Sequence, residues 1–166
     1  MLIKALRATQ SKSTGVATFT GEFQGQVYFT PTSNGKIHVF GKVSNLPKSK
    51  KLGVHIHETG DIGNNCSQIG GHWNPTFSLH GDLNSEMRHS GDLGNVETDA
   101  RGSMLFDLYV SKSARDPTDN FIGLGLVIHT GTDDLGRKDD PGSLANGNSG
   151  KPLTCAVIGY RKKPLI

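Results

Sequence analysis

Short apolar stretches, broken by glycine and polar turns, run through most of the chain. Residues 15–23 (GVATFTGEF) and 26–32 (QVYFTPT) are rich in β-branched and aromatic side chains, which suit a half-buried pleated surface. Ser33, Asn34 and Gly35 mark a tight turn. In 36–46 (KIHVFGKVSNL), Ile37 and Val39 alternate with His38 and Phe40 on opposite faces. The same character returns at 52–59, 93–98, 103–110, 123–130 and 154–160. These eight short strands predict an all-β domain, a sandwich or flattened barrel. No apolar run approaches the roughly 18 residues that a membrane-spanning helix needs.

Two segments do not read as strands. Residues 60–92 are polar, Gly-rich and hold three histidines, and 131–153 are rich in Gly, Asp, Asn and Lys. Loops of this length are uncommon in compact domains unless they carry function. Composition agrees with a turn-rich fold: 22 of 166 residues are Gly, nearly double the average of about 7%. The net charge of +3 is too small to suggest nucleic acid as a partner. The clusters Lys48, Lys50, Lys51 and Arg161, Lys162, Lys163 read as solvated surface. The first 21 residues lack acidic groups, but Lys4 interrupts any apolar core of a secretory signal. Residues 1–15 are therefore expected to be an N-terminal extension to a domain spanning 16–166, and the protein to be cytoplasmic.

Six of the seven histidines fall between positions 55 and 129. His55 and His57 are two apart on a predicted strand, so their imidazoles share one face. His72, His80 and His89 follow at spacings of eight and nine, and Asp92 comes three later. Three imidazoles and one carboxylate suit a tetrahedral Zn2+ site. Such a metal would also offset the conformational entropy of ordering the loop. His129 ends a predicted strand. With His55, His57 and one loop histidine it could complete a four-nitrogen site of the kind Cu2+ prefers. Cys66 and Cys155, taken alone, read equally as free thiols in a reducing compartment.

The segments GVHIHETGD (53–61), CSQIGGHWNP (66–75), RHSGDLGNV (88–96), VIHTGTDDLG (127–136) and GNSGKPLTCAVIG (147–159), with His80 at compatible spacing, resemble Cu,Zn superoxide dismutase. The resemblance runs from about Val16 to Tyr160. It implies an eight-stranded Greek-key flattened barrel, an Ig-like sandwich, with two long functional loops. It also implies copper on His55, His57, His72 and His129, and zinc on His72, His80, His89 and Asp92. His72 would then bridge the two metals and act catalytically by taking up and donating a proton. Asp133 matches the carboxylate that hydrogen-bonds one copper and one zinc histidine, here His55 and His80. A Cys66–Cys155 disulfide is implied as well.

By the same resemblance the substrate is superoxide. A homodimer forms through Gly60, Ile122, Gly123 and Tyr160, and a copper-delivery chaperone is a candidate partner. One departure is clear. Where the family places an Arg near copper, this chain has Pro152, which carries no charge. The adjacent Lys151 is expected to supply the guiding charge. Lys lacks the planar fork of Arg and should position an anion more loosely. A copper chaperone is a poor reading of the chain itself, because neither C-x-x-C nor C-x-C occurs. A hydrolase is a poor one too, since no G-x-S-x-G elbow occurs.

Overall fold

The computed structural model describes residues 14–111 and 121–162. Eight antiparallel strands follow in chain order: β1 (Gly15–Phe19), β2 (Gln24–Pro31), β3 (Ile37–Ser44), β4 (Lys51–His57), β5 (Asp92–Glu97), β6 (Met104–Val110), β7 (Gly125–His129) and β8 (Pro152–Tyr160). Two short helices, α1 (Gly63–Cys66) and α2 (Pro141–Asn146), lie in the two long loops. The strand order is β5-β4-β7-β8-β1-β2-β3-β6. Chain connections from β3 to β4 and from β6 to β7 cross between the two halves, which is the Greek-key arrangement. The outer strands β5 and β6 approach through a single Thr98–Met104 bridge, so the barrel is nearly closed.

The expected strands are all present, with different ends. β1 stops at Phe19 because the chain turns at Gly21, whose φ is +89°. β8 starts at Pro152, two residues earlier than expected. Pro152 is opposite His129, where the register slips after Ile128, a position that tolerates a residue without an N–H. The expected extension 1–15 lies outside the described residues, except for Thr14 and Gly15, and Gly15 opens β1.

Alternation decides what faces inward. Leu52, Val54 and Ile56 of β4, with Leu126 and Ile128 of β7, join Phe29, Val39, Met104 and Ile158 in one buried core. Period two then sends Gly53, His55 and His57, and likewise Val127 and His129, to the opposite face. That face does not meet solvent, because loops 58–91 and 130–151 cover it. Every residue of β4 after Lys51 is therefore buried. The first loop is tied down by backbone bonds: Trp73 donates to Ile56 O (2.8 Å), Gly91 to Trp73 O (2.9 Å) and Ile56 to Gly91 O (2.8 Å). The Cys66–Cys155 disulfide joins the same loop to β8 across 89 residues.

α2 carries a complete set of end signals. The Asp140 side chain accepts from Ser143 N, Pro141 is the first helical residue, and Gly147 closes the helix in the left-handed region at φ +69°. The turn at α1 is less ordinary. Asn64, Asn65 and Cys66 all have positive φ, a run that non-Gly residues rarely adopt.

Candidate metal centre

The outward histidines of β4 and β7 and the loop residues beneath the two covering segments form one cluster. His55, His57, His72, His80, His89, Asp92, His129 and Asp133 are all buried. Four of the six imidazoles have one nitrogen committed to an oxygen outside the donor groups. His57 Nδ1 donates to Gly70 O (2.8 Å) and His129 Nδ1 to Gly150 O (2.9 Å). His55 Nε2 donates to Asp133 Oδ2 and His80 Nε2 to Asp133 Oδ1, both at 2.8 Å. The opposite nitrogens therefore point inward.

Two donor groups result. The ligand atoms of His55, His57, His72 and His129 lie within 4.8 Å of one another, and His57 Nε2 is 3.2 Å from His129 Nε2. The second group centres on Asp92. Its Oδ1 lies 2.9 Å from His72 Nδ1, 3.0 Å from His80 Nδ1 and 3.2 Å from His89 Nδ1. Its Oδ2 accepts from the backbone N–H groups of His89 (2.8 Å) and Gly81 (3.1 Å). Proximity alone also places His55 with His72, His80 and Asp92, since its ring stacks on His72 at 3.9 Å. The Asp133 bond on Nε2, however, leaves His55 only Nδ1, which belongs with the first group.

The cluster fits two cations. Among the described residues, His55 Nδ1 and His72 Nε2 are buried without a hydrogen-bond partner, a state that is costly unless something else satisfies them. Burial drives the histidines of the first group toward the neutral form that ligates metal. It lowers His57 to about 3 and His129 to about 4, and it also lowers His55 and His72. His80 goes the other way. Burial lowers it, but bonds to Asp133 and Asp92 outweigh this and raise it to about 9. Asp92 and Asp133 are held well below the usual carboxylate range, because hydrogen bonds from histidines overcome their desolvation.

Three supporting residues were not visible in the sequence. Asn95 of β5 clamps the Asp133 backbone from both sides: Asp133 N donates to Asn95 Oδ1 (2.8 Å), and Asn95 Nδ2 donates to Asp133 O (2.9 Å). Arg88 is buried and holds carbonyls instead of a carboxylate. Its guanidinium donates to His89 O (2.8 Å), Ser90 O (3.4 Å) and Ser111 O (2.7 Å), linking the second donor group to the end of β6. Gly147 approaches so closely that a Cβ there would overlap Asp133 Oδ1 and lie 2.5 Å from His80 Nε2. Only a position shared with the family pattern could have pointed to Asn95 or Arg88, because both act largely through backbone groups.

A Greek-key barrel with two adjoining groups of buried metal donors defines a dinuclear metalloprotein. Comparison with known proteins narrows this. The profile of the copper/zinc superoxide dismutase family matches residues 23–158. The extracellular Cu-Zn superoxide dismutase of Schistosoma mansoni is 46% identical over 88% of this chain and 79% of its own length. The extracellular enzyme of Caenorhabditis elegans is 44% identical over 76% of this chain and 57% of its own. A solved structure of the clock protein EA4 superposes with a TM-score of 0.82 at 36% identity, over 91% of this chain and 96% of that one. The chain belongs to the copper/zinc superoxide dismutase family. Its reaction is the conversion of superoxide to dioxygen and hydrogen peroxide, with copper and zinc as cofactors.

The expected cytoplasmic location is overturned. The relatives from S. mansoni and C. elegans are both named extracellular. That expectation rested on the residues before the barrel, which say nothing of the compartment in which the barrel works.

Proposed function

We propose that His55, His57, His72 and His129 hold the copper and that His72, His80, His89 and Asp92 hold the zinc. The carrying observation is the division of His72: Nδ1 faces Asp92, while Nε2 is buried and unpartnered. Copper, when bound, supplies one-electron redox chemistry, and zinc a fixed positive charge that tunes the shared imidazole. His72 Nε2 is the atom that takes up and releases a proton. Its burial disfavours the cation, so a proton taken up there is readily given away. Asp133 keeps the rings of His55 and His80 in one orientation, as carboxylates behind ligating histidines commonly do.

Lys151 guides the anionic substrate. Its side chain is exposed, and its neighbour Gly150 holds His129. Two other cations of the same loop lie in ion pairs, Arg137 with Asp82 (2.8 Å) and Lys138 with Asp134 (3.8 Å). Two copies of the chain associate through Gly60, Ile122, Gly123 and Tyr160. In support, Tyr160 is 72% exposed, and Ile62, two residues after Gly60, is 45% exposed. The protein works outside the cell, as its extracellular relatives do, and the disulfide suits an oxidising compartment.

The test is metal analysis combined with the decay of pulse-generated superoxide at increasing ionic strength. Lys151→Ala should lower the rate several-fold and flatten its salt dependence. Unchanged rate and salt dependence would remove Lys151 from the reading.

A further inference from the structure

We propose that Asn65 is an N-glycosylation site. The chain has ten asparagines, and Asn65-Cys66-Ser67 is its one Asn-x-Ser/Thr sequence in which x is not proline. Asn74-Pro75-Thr76 is spoiled by its proline, and the Asn74 carboxamide is in any case engaged at both ends by Ser78. Asn65 is different. It lies on an exposed turn, and neither its carboxamide nor the Ser67 hydroxyl has a hydrogen-bond partner among the described residues. With φ 53° and ψ 47°, the left-handed backbone turns this residue outward. Asn tolerates that conformation better than other non-Gly residues.

The middle residue fixes when the modification happens. Cys66 is buried and bonded to Cys155, 89 residues later. Once that bond closes, the turn is locked and its hydroxyl and carboxamide can no longer rearrange around an enzyme. At about 5–20 residues per second of synthesis, Asn65 precedes Cys155 by on the order of ten seconds. Transfer belongs to that interval. The Asn65 Nδ2 attacks the anomeric carbon of a lipid-diphosphate-linked oligosaccharide. An N–C bond forms, the C–O bond to the diphosphate breaks, the lipid diphosphate leaves and one proton passes to solvent. No oxidation state changes. The finished glycan then projects from the turn into solvent and leaves the metal ligands untouched.

This inference rests on the extracellular reading, and one experiment separates the two. The protein is isolated from its native cells and from the fluid around them. The peptide containing Asn65 is then treated with peptide N-glycosidase in heavy-oxygen water, which converts a glycosylated Asn to labelled Asp. Label at position 65 in the extracellular protein supports the proposal. Extracellular protein with unlabelled Asn65 overturns it and leaves the location standing. Protein found only inside cells overturns the location and the proposal with it. As a second arm, the full chain is secreted from insect cells behind a leader. Ser67→Ala should abolish the modification, Ser67→Thr should retain it, and both should keep wild-type activity. A glycan that survives Ser67→Ala would place the attachment elsewhere and overturn the proposal.

Discussion

Arg88 offers the sharpest test of how the second donor group is held in place. Arg88→Met keeps most of the volume and removes the guanidinium. Two short bonds from a charged donor are lost, to His89 O and Ser111 O, together with the longer one to Ser90 O. Such bonds contribute about 1.5–3 kcal/mol each when the groups are buried. Against that, Arg88 is only 5% exposed, and among the described residues its charge faces carbonyls and no carboxylate. Removing it relieves a desolvation penalty of a few kcal/mol. The net loss should be about 2–4 kcal/mol in urea unfolding of the metal-free protein. His89 also loses the hold on its carbonyl, so zinc should leave about ten times faster to a chelator, equivalent to about 1.4 kcal/mol. Arg88→Lys should recover only part of both effects, because a single ammonium cannot span three carbonyls. A change below about 0.5 kcal/mol with unaltered zinc release would show that Arg88 merely fills space.

Three further outcomes are expected. Cys155→Ser removes a link across 89 residues and should lower stability by about 4–5 kcal/mol through the unfolded chain, read from denaturation with and without reductant. Gly147→Ala places a Cβ against Asp133 at φ +69°. It should weaken zinc binding about 10–100-fold, measured by competition with a chromogenic chelator. In the metal-free protein, His57 and His129 stay neutral to about 3 and about 4, while unfolded histidines protonate near about 6.5. Between these values the unfolded state binds more protons, so stability should fall as pH drops from about 6.5. His80, raised to about 9, adds stability that is full below about 6.5 and is lost as pH rises through 9. Urea midpoints of the metal-free protein should thus peak near neutrality, and a steady rise from about pH 5 to about pH 9 would contradict this.

The barrel was legible because period-two alternation and glycine turns report directly on which side chains are buried. The donor residues were legible because imidazoles and carboxylates carry their chemistry in the side chain, and their spacing matched a known family. Strand ends were less so. β1 stops at Phe19 where the backbone turns at Gly21, yet a lone Gly between two apolar stretches reads as a bulge within one strand as readily as a turn. α2 was overlooked although Asp140, Pro141 and Gly147 spell out its ends, because a Gly-, Asp- and Asn-rich stretch reads first as loop. The tasks of Arg88 and Asn95 are contacts with backbone groups of distant residues. No local pattern encodes those, because the partners are carbonyls and amides that every residue has.

Trp73, the chain's single tryptophan, follows His72 directly and is pinned through its backbone to both Ile56 and Gly91. Its ring packs partly buried against the core. Its fluorescence therefore originates beside the imidazole that both donor groups share. Emission intensity and wavelength become a readout of that joint, free of background from any second indole. Loosening of the covering loop, loading of the centre and collapse of the barrel beneath it can each be followed by eye of a fluorimeter, without labelling the protein.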